Sequence, residues 1–173
     1  MYYQRQRQNF NPKRPLHSFQ DLEVYQKSLE CSVLVGKEVN KFLSVRAKAK
    51  KKQAEQNGAI DDLLLKNMLP CALGIPHLVA EAHSLRFGDH AAGITAIEKA
   101  MLGCNKMVVY LEQFRDICVR PVRSPPSNGE TGIPWEFFDD TIKKYIYVRR
   151  KMLRLEQAWK KFMPEYKMKD LNI

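Results

Sequence analysis

Four stretches of this chain repeat apolar residues at steps of three and four, and that period is the strongest constraint on what it can fold into. Such steps return to one face of an α-helix, which turns 100° per residue. The alternation expected of a half-buried strand is scarce. The first stretch runs Leu22, Tyr25, Leu29, Val33, Gly36, Val39 and Leu43, with Ser18 placed to cap it and Asp21 at the positive end of its dipole. The second begins near Ala59, after an Asn57-Gly58 turn signal, with Asp61 and Asp62 in its first turn. It continues as Leu64, Met68, Cys71, Ile75, Leu78, Ala82 and Leu85. Pro70 and Pro76 lie inside it and each removes an amide donor, so one bent helix is expected rather than two short ones.

Gly88 ends that helix and Asp89 caps the next, whose stripe is Ile94, Ile97, Met101, Cys104, Val108 and Leu111. The connection is so short that these two helices should be antiparallel neighbours. Residues 119–133 hold three prolines and two glycines and read as a linker. The last helix opens at Pro134 and stops before Pro164, with Phe138, Ile142, Tyr145, Val148, Met152, Leu155, Trp159 and Phe162 on one face. The expected fold is all-α: an up-down four-helix bundle over residues 18–163 with a kinked second helix. A basic tail (1–17) and a short C-terminal tail (164–173) flank it. Val24, Val35, Phe42, Ile146 and Leu153 sit beside the stripes, where they would thicken the core or form a subunit interface.

Charge narrows the class of partner. The 29 Lys and Arg outnumber the 19 Asp and Glu, for a net charge of +10, and the surplus is segregated. Lys143, Arg150, Arg154 and Lys161 fall within about 40° of one another on a helical wheel, opposite the apolar stripe of the last helix. Lys151 flanks them. Between residues 143 and 169 there are ten basic residues and two acids. A one-signed stripe repels itself unless a polyanion or an acidic partner neutralises it. A second basic run, Arg46, Lys48, Lys50, Lys51 and Lys52, follows the first helix. Neither run shows the interleaved aromatics of a single-strand stacking platform, so phosphate or shape recognition of RNA, or of DNA, is expected over base reading.

Patterns that would support catalysis are missing: there is no Gly-rich phosphate loop, nucleophile elbow or His-Glu-x-x-His run. None of His17, His77, His83 and His90 has a glutamate three residues before it, the pairing a di-metal bundle needs. Cys31, Cys71, Cys104 and Cys118 are widely spaced and read as reduced thiols. The expectation is a binding protein without cofactor or metal. The polar N-terminus lacks an apolar leader, and no apolar run approaches the ~18 residues of a membrane span. A cytoplasmic protein with no membrane partner is therefore expected.

Ser18-Phe-Gln-Asp-Leu-Glu-Val-Tyr-Gln-Lys27, Ile75-Pro76 and Val79-Ala80-Glu81 resemble segments of the four-helix-bundle proteins encoded in intervening sequences of bacterial ribosomal RNA genes. Tyr25, Leu78 and Ala82 depart from that family's usual Trp, Asn and Gly. Four features are similar to the related accessory variability determinants of diversity-generating retroelements: Leu65-Lys66-Asn67, the Ile94–Leu111 helix, the break after it, and the closing helix with its Arg-rich middle and Trp159-Lys160-Lys161. This resemblance spans roughly residues 18–163. It implies a homo-oligomer, commonly a pentameric barrel, that binds a reverse transcriptase and its template RNA through basic surfaces. The alternatives are a ribosomal intervening-sequence-type bundle and an oligomeric scaffold for protein partners.

Overall fold

A computed structural model describes residues 18–49, 58–119 and 133–162. Four long helices account for most of them: α1 (Glu23–Ala49), α2 (Gly58–Leu85), α3 (His90–Gln113) and α4 (Trp135–Phe162). A 3₁₀ turn at Phe19–Asp21 leads into α1, and a π-helical turn at Phe114–Cys118 closes α3. The protein is an all-α four-helix bundle. Ser18 and Asp21 form a reciprocal capping box, Ser18 Oγ accepting from Gln20 N and Asp21 Oδ2 from Ser18 N. Asp89 caps α3 by accepting from the amide of Ala92 at 2.9 Å.

Each helix packs on its neighbours in chain order, and α4 closes the ring against α1. Ties at the helix ends show that adjacent helices run antiparallel. Arg46 near the end of α1 meets Asp61 and Asp62 at the start of α2. Residues 86–89 alone join α2 to α3. Glu98 in the first half of α3 meets Lys160 at the end of α4. Glu23 and Glu30 of α1 meet Lys151 and Lys144 of α4 in reversed order.

The α2–α3 seam is the most extensive, and small residues make it so. Ala72 and Ala82 of α2 and Ala96 and Ala100 of α3 are buried. A Cβ on Gly103 would lie 2.9 Å from Ile75 Cγ1, and one on Gly93 would lie 3.2 Å from the carbonyl oxygen of Ala82. α2 runs unbroken through Pro70 and Pro76, one helix as its stripe implied. The lost amide donors are outweighed by the continuous burial of Met68, Ala72, Ile75, Val79 and Ala82. By length and composition the Ile60–Leu85 stretch of α2 is apolar enough to cross a membrane, contrary to the expectation that no segment would be. In the bundle its inward face is core.

The stripes of α3 and α4 face the core as anticipated: Ile97, Cys104, Leu111, Phe138, Tyr145, Val148 and Met152 are almost wholly enclosed, Met101, Val108, Ile142 and Leu155 are partly buried, and the side chain of Phe162 lies outside the described residues. For α1 the anticipated face is rotated by roughly a quarter turn. Val33 and Leu43 are 45% and 38% exposed, whereas Val24, Ser28, Cys31, Ser32, Val35 and Val39 are buried. A count of apolar residues alone misses this face because two of its members are serines. Both hydroxyls donate within the helix, Ser28 to the carbonyl of Tyr25 and Ser32 to that of Leu29, so they enter the core with their donors satisfied.

The Gly103 contact gives a direct test. Alanine there gains about 1 kcal/mol of helix propensity but forces its methyl against the enclosed Ile75, and overpacking typically costs 1–3 kcal/mol, roughly. Gly103→Ala should lower the unfolding free energy by up to about 2 kcal/mol, read as a reduced urea midpoint at unchanged slope.

Candidate nucleic-acid interface

Burial of Phe138, Tyr145, Val148, Met152 and Trp159 turns the opposite side of α4 to solvent. That side carries Lys143, Arg150, Arg154 and Lys161, all exposed. Lys143 is bonded to Asp139 one turn earlier, and this carboxylate holds its ammonium above the usual lysine range. Arg150 and Arg154 have no acidic partner among the described residues. Their charge is therefore left to solvent or to a ligand.

Two other sequence-selected cations serve the fold. Lys151 donates to Glu23 at 3.0 Å, and its ammonium sits 5.3 Å from the centroid of the Tyr147 ring. Arg46 turns back onto α2, where it lies 3.0 Å from Asp62 and 3.5 Å from Asp61. Both are ties between helices, and a phosphate would have to displace carboxylates to reach them. Lys50, Lys51 and Lys52 lie outside the described residues, and so does the side chain of Lys48.

The structure adds an α1–α4 seam that the sequence reading did not single out. Tyr147 donates its hydroxyl to Glu23 at 2.6 Å, and Lys144 reaches Glu30 at 3.2 Å. Glu23 and Glu30 are one heptad apart, as are Lys144 and Lys151. The equal spacing sets an antiparallel register and is the sequence signal that could have revealed the seam. Hydrogen bonds from Tyr147 and then Lys151 hold the Glu23 carboxyl below the usual range, and Lys27 does most to lower Glu30. Beside this seam lies an open groove of about 550 Å³. Lys27, Lys143, Lys144, Arg150 and Tyr147 line it, with Glu30 the one acid among its described lining residues.

Tyr147 has a particular place on this surface. Lys143, Lys144, Arg150 and Lys151 stand four and three residues before it and three and four after it. These are the four nearest surface neighbours on a helix. An aromatic ring, 42% exposed by residue, is thus encircled by basic side chains. The expectation of no interleaved aromatic is corrected at this point; one tyrosine in a long basic run is easily passed over until the helix turns bring its neighbours together.

The thiols offer little reactivity. Burial pushes Cys31 up to about 11 and Cys104 up to about 12, so both stay protonated at neutral pH. Among the described residues no group of three or more His, Cys, Asp and Glu is arranged to hold a metal ion. Comparison with known proteins returns no match: no family model fits the chain, and no curated protein or solved structure is significantly similar to it.

The seam has a pH signature. The carboxyls of Glu23 and Glu30 are lowered in the fold, so as pH falls the unfolded chain takes up protons first. Their contribution is complete above the unfolded value of about 4.3 and is lost as pH falls through the folded values. Stability should therefore drop on acidification below about pH 4.3. Glu23→Gln should make that drop shallower and, because the pair with Lys151 is partly exposed, cost under about 1 kcal/mol at pH 7. Urea titrations between pH 3 and 7 check both.

Proposed function

We propose that this chain is a basic nucleic-acid-binding accessory protein that uses the outer face of α4 to hold the phosphate backbone of RNA. The observation that carries this reading is the pairing state of that face: Arg150 and Arg154 lie exposed one turn apart with no acidic partner among the described residues. Guanidinium groups in that condition suit phosphate, which they bind in a bidentate fork. The retroelement setting, with a reverse transcriptase and its template RNA as partners, rests on the resemblance described above.

Arg150→Gln/Arg154→Gln keeps helix propensity nearly unchanged and leaves the inward face of α4 intact. Binding to structured RNA should weaken and the salt slope should flatten by roughly one to two log units per log of salt if both residues meet phosphate. Helical signal and assembly mass should be those of the parent. A double variant that binds like the parent, with Lys50→Gln/Lys51→Gln failing instead, would move the site to the second basic run.

A second reading, self-assembly, is favoured by a separate surface. Leu73 of α2 and Leu102 of α3 are 55% and 52% exposed, and Ile60, Leu63 and Val109 are exposed on the same two helices. Cys71 approaches the carbonyl of Gly103, which sets Leu73 and Leu102 at about the same level of the bundle. In the ring order this pair of helices lies opposite the α1–α4 seam. A homo-oligomer joined through α2 and α3, the pentamer implied by the resemblance among them, leaves the basic seam outward. Leu73→Glu/Leu102→Glu should reduce the mass seen by light scattering without loss of helical signal. An unchanged mass would place the interface elsewhere.

A further inference from the structure

We propose that Tyr147 is a stacking platform for an unpaired base, so that the α4 surface takes single-stranded in preference to double-stranded nucleic acid. This rests on the phosphate-binding reading above and adds the class of nucleic acid to it.

Three observations converge on the ring. It is held at both ends: its backbone belongs to α4, and its hydroxyl donates to Glu23 of α1 at 2.6 Å. A ring already fixed in place has less side-chain freedom to lose when a base settles on it. It remains 42% exposed by residue although it borders the α1–α4 groove, whose volume of about 550 Å³ is in the range that holds a small organic ligand. Finally, cations flank it along the helix axis. Lys143 and Arg150 are seven residues apart, about 10 Å of axial rise, with the ring between them. A base on Tyr147 therefore has Arg150 toward the phosphate on one side and, on the other, Lys143, which would exchange Asp139 for that phosphate. Lys151 rests its ammonium 5.3 Å from the ring centroid, so a base that stacks on that face displaces it.

Helical geometry explains why the occupant is unpaired. In a duplex both faces of a base are covered by its neighbours, so a side chain stacks only where a base is splayed out. A duplex can offer this surface its phosphates alone, and would leave the ring idle. A single strand satisfies the ring and the flanking cations together.

Fluorescence anisotropy with an unstructured single-stranded RNA and a duplex of equal length tests this. The parent should bind the single strand more tightly. Tyr147→Leu should weaken single-strand binding by at least about five-fold, the lower end for one stacked base, and leave duplex binding unchanged. Tyr147→Phe keeps the ring and loses only the bond to Glu23, so it should retain the preference. A single strand carrying 2-aminopurine should change fluorescence on binding the parent and Tyr147→Phe, and not on binding Tyr147→Leu. The proposal is overturned if the two forms bind equally, if Tyr147→Phe is as weak as Tyr147→Leu, or if 2-aminopurine does not respond to the parent. The first and the last of these readouts use the parent alone and stand even should Tyr147→Leu fail to fold. If Arg150→Gln/Arg154→Gln weakens both forms while Tyr147→Leu weakens neither, phosphate binding survives and stacking does not. If the parent binds neither form at low salt, phosphate binding itself is wrong.

Discussion

The close approach of α3 to α2 governs the rest of the bundle. Where Gly103 faces the Ile75 side chain and Gly93 faces the Ala82 carbonyl, α3 puts no side chain of its own between the helices, and their contact is the most extensive in the bundle. Large residues from all four helices complete the core: Met68 and Ile75 from α2, Met107 and Leu111 from α3, Met152 and Tyr145 from α4, with Val35 and Val39 from α1. This arrangement explains how α2 tolerates two internal prolines. Its stability comes from a buried face, and the two missing hydrogen bonds are a smaller term than that burial.

The α1–α4 seam is built on another principle. It is the least extensive of the four, and its register is written in side-chain polar groups: Glu23 with Tyr147 and Lys151, Glu30 with Lys144. Partly exposed ion pairs stabilise weakly but discriminate well between registers, because a slip of one turn sets like charges together. The same pairs dispose of two of the basic residues on α4 and leave Arg150 and Arg154 outward. Two-sidedness follows from the ring order: a basic seam on one side, and the apolar outer residues of α2 and α3 on the other.

Much of this was legible in the chain alone. The stripes of α3 and α4, the cap at Asp89, the short turn after Leu85 and the outward stripe of Lys143, Arg150, Arg154 and Lys161 all follow from local rules of period, capping and angle. What failed was confined to places where two helices meet. The face of α1 was misjudged because Ser28 and Ser32 satisfy themselves within the helix and so pass as core. Arg46 and Lys151 looked like free cations because their carboxylates are sixteen residues away in one case and on the opposite end of the chain in the other.

Sequence by itself determined the number of helices, their inward faces in three cases of four, the charge surplus and the side of α4 on which it gathers, since each depends on residues within a few turns of one another. Tertiary structure alone decided which cations are spent inside the fold, which apolar residues are left outside it, and that Tyr147 is tied to α1 at the edge of a basic groove. Those outcomes depend on how far each helix is rotated about its own axis when it docks. That rotation is a compromise among four packed faces, and no single stretch of the chain contains it.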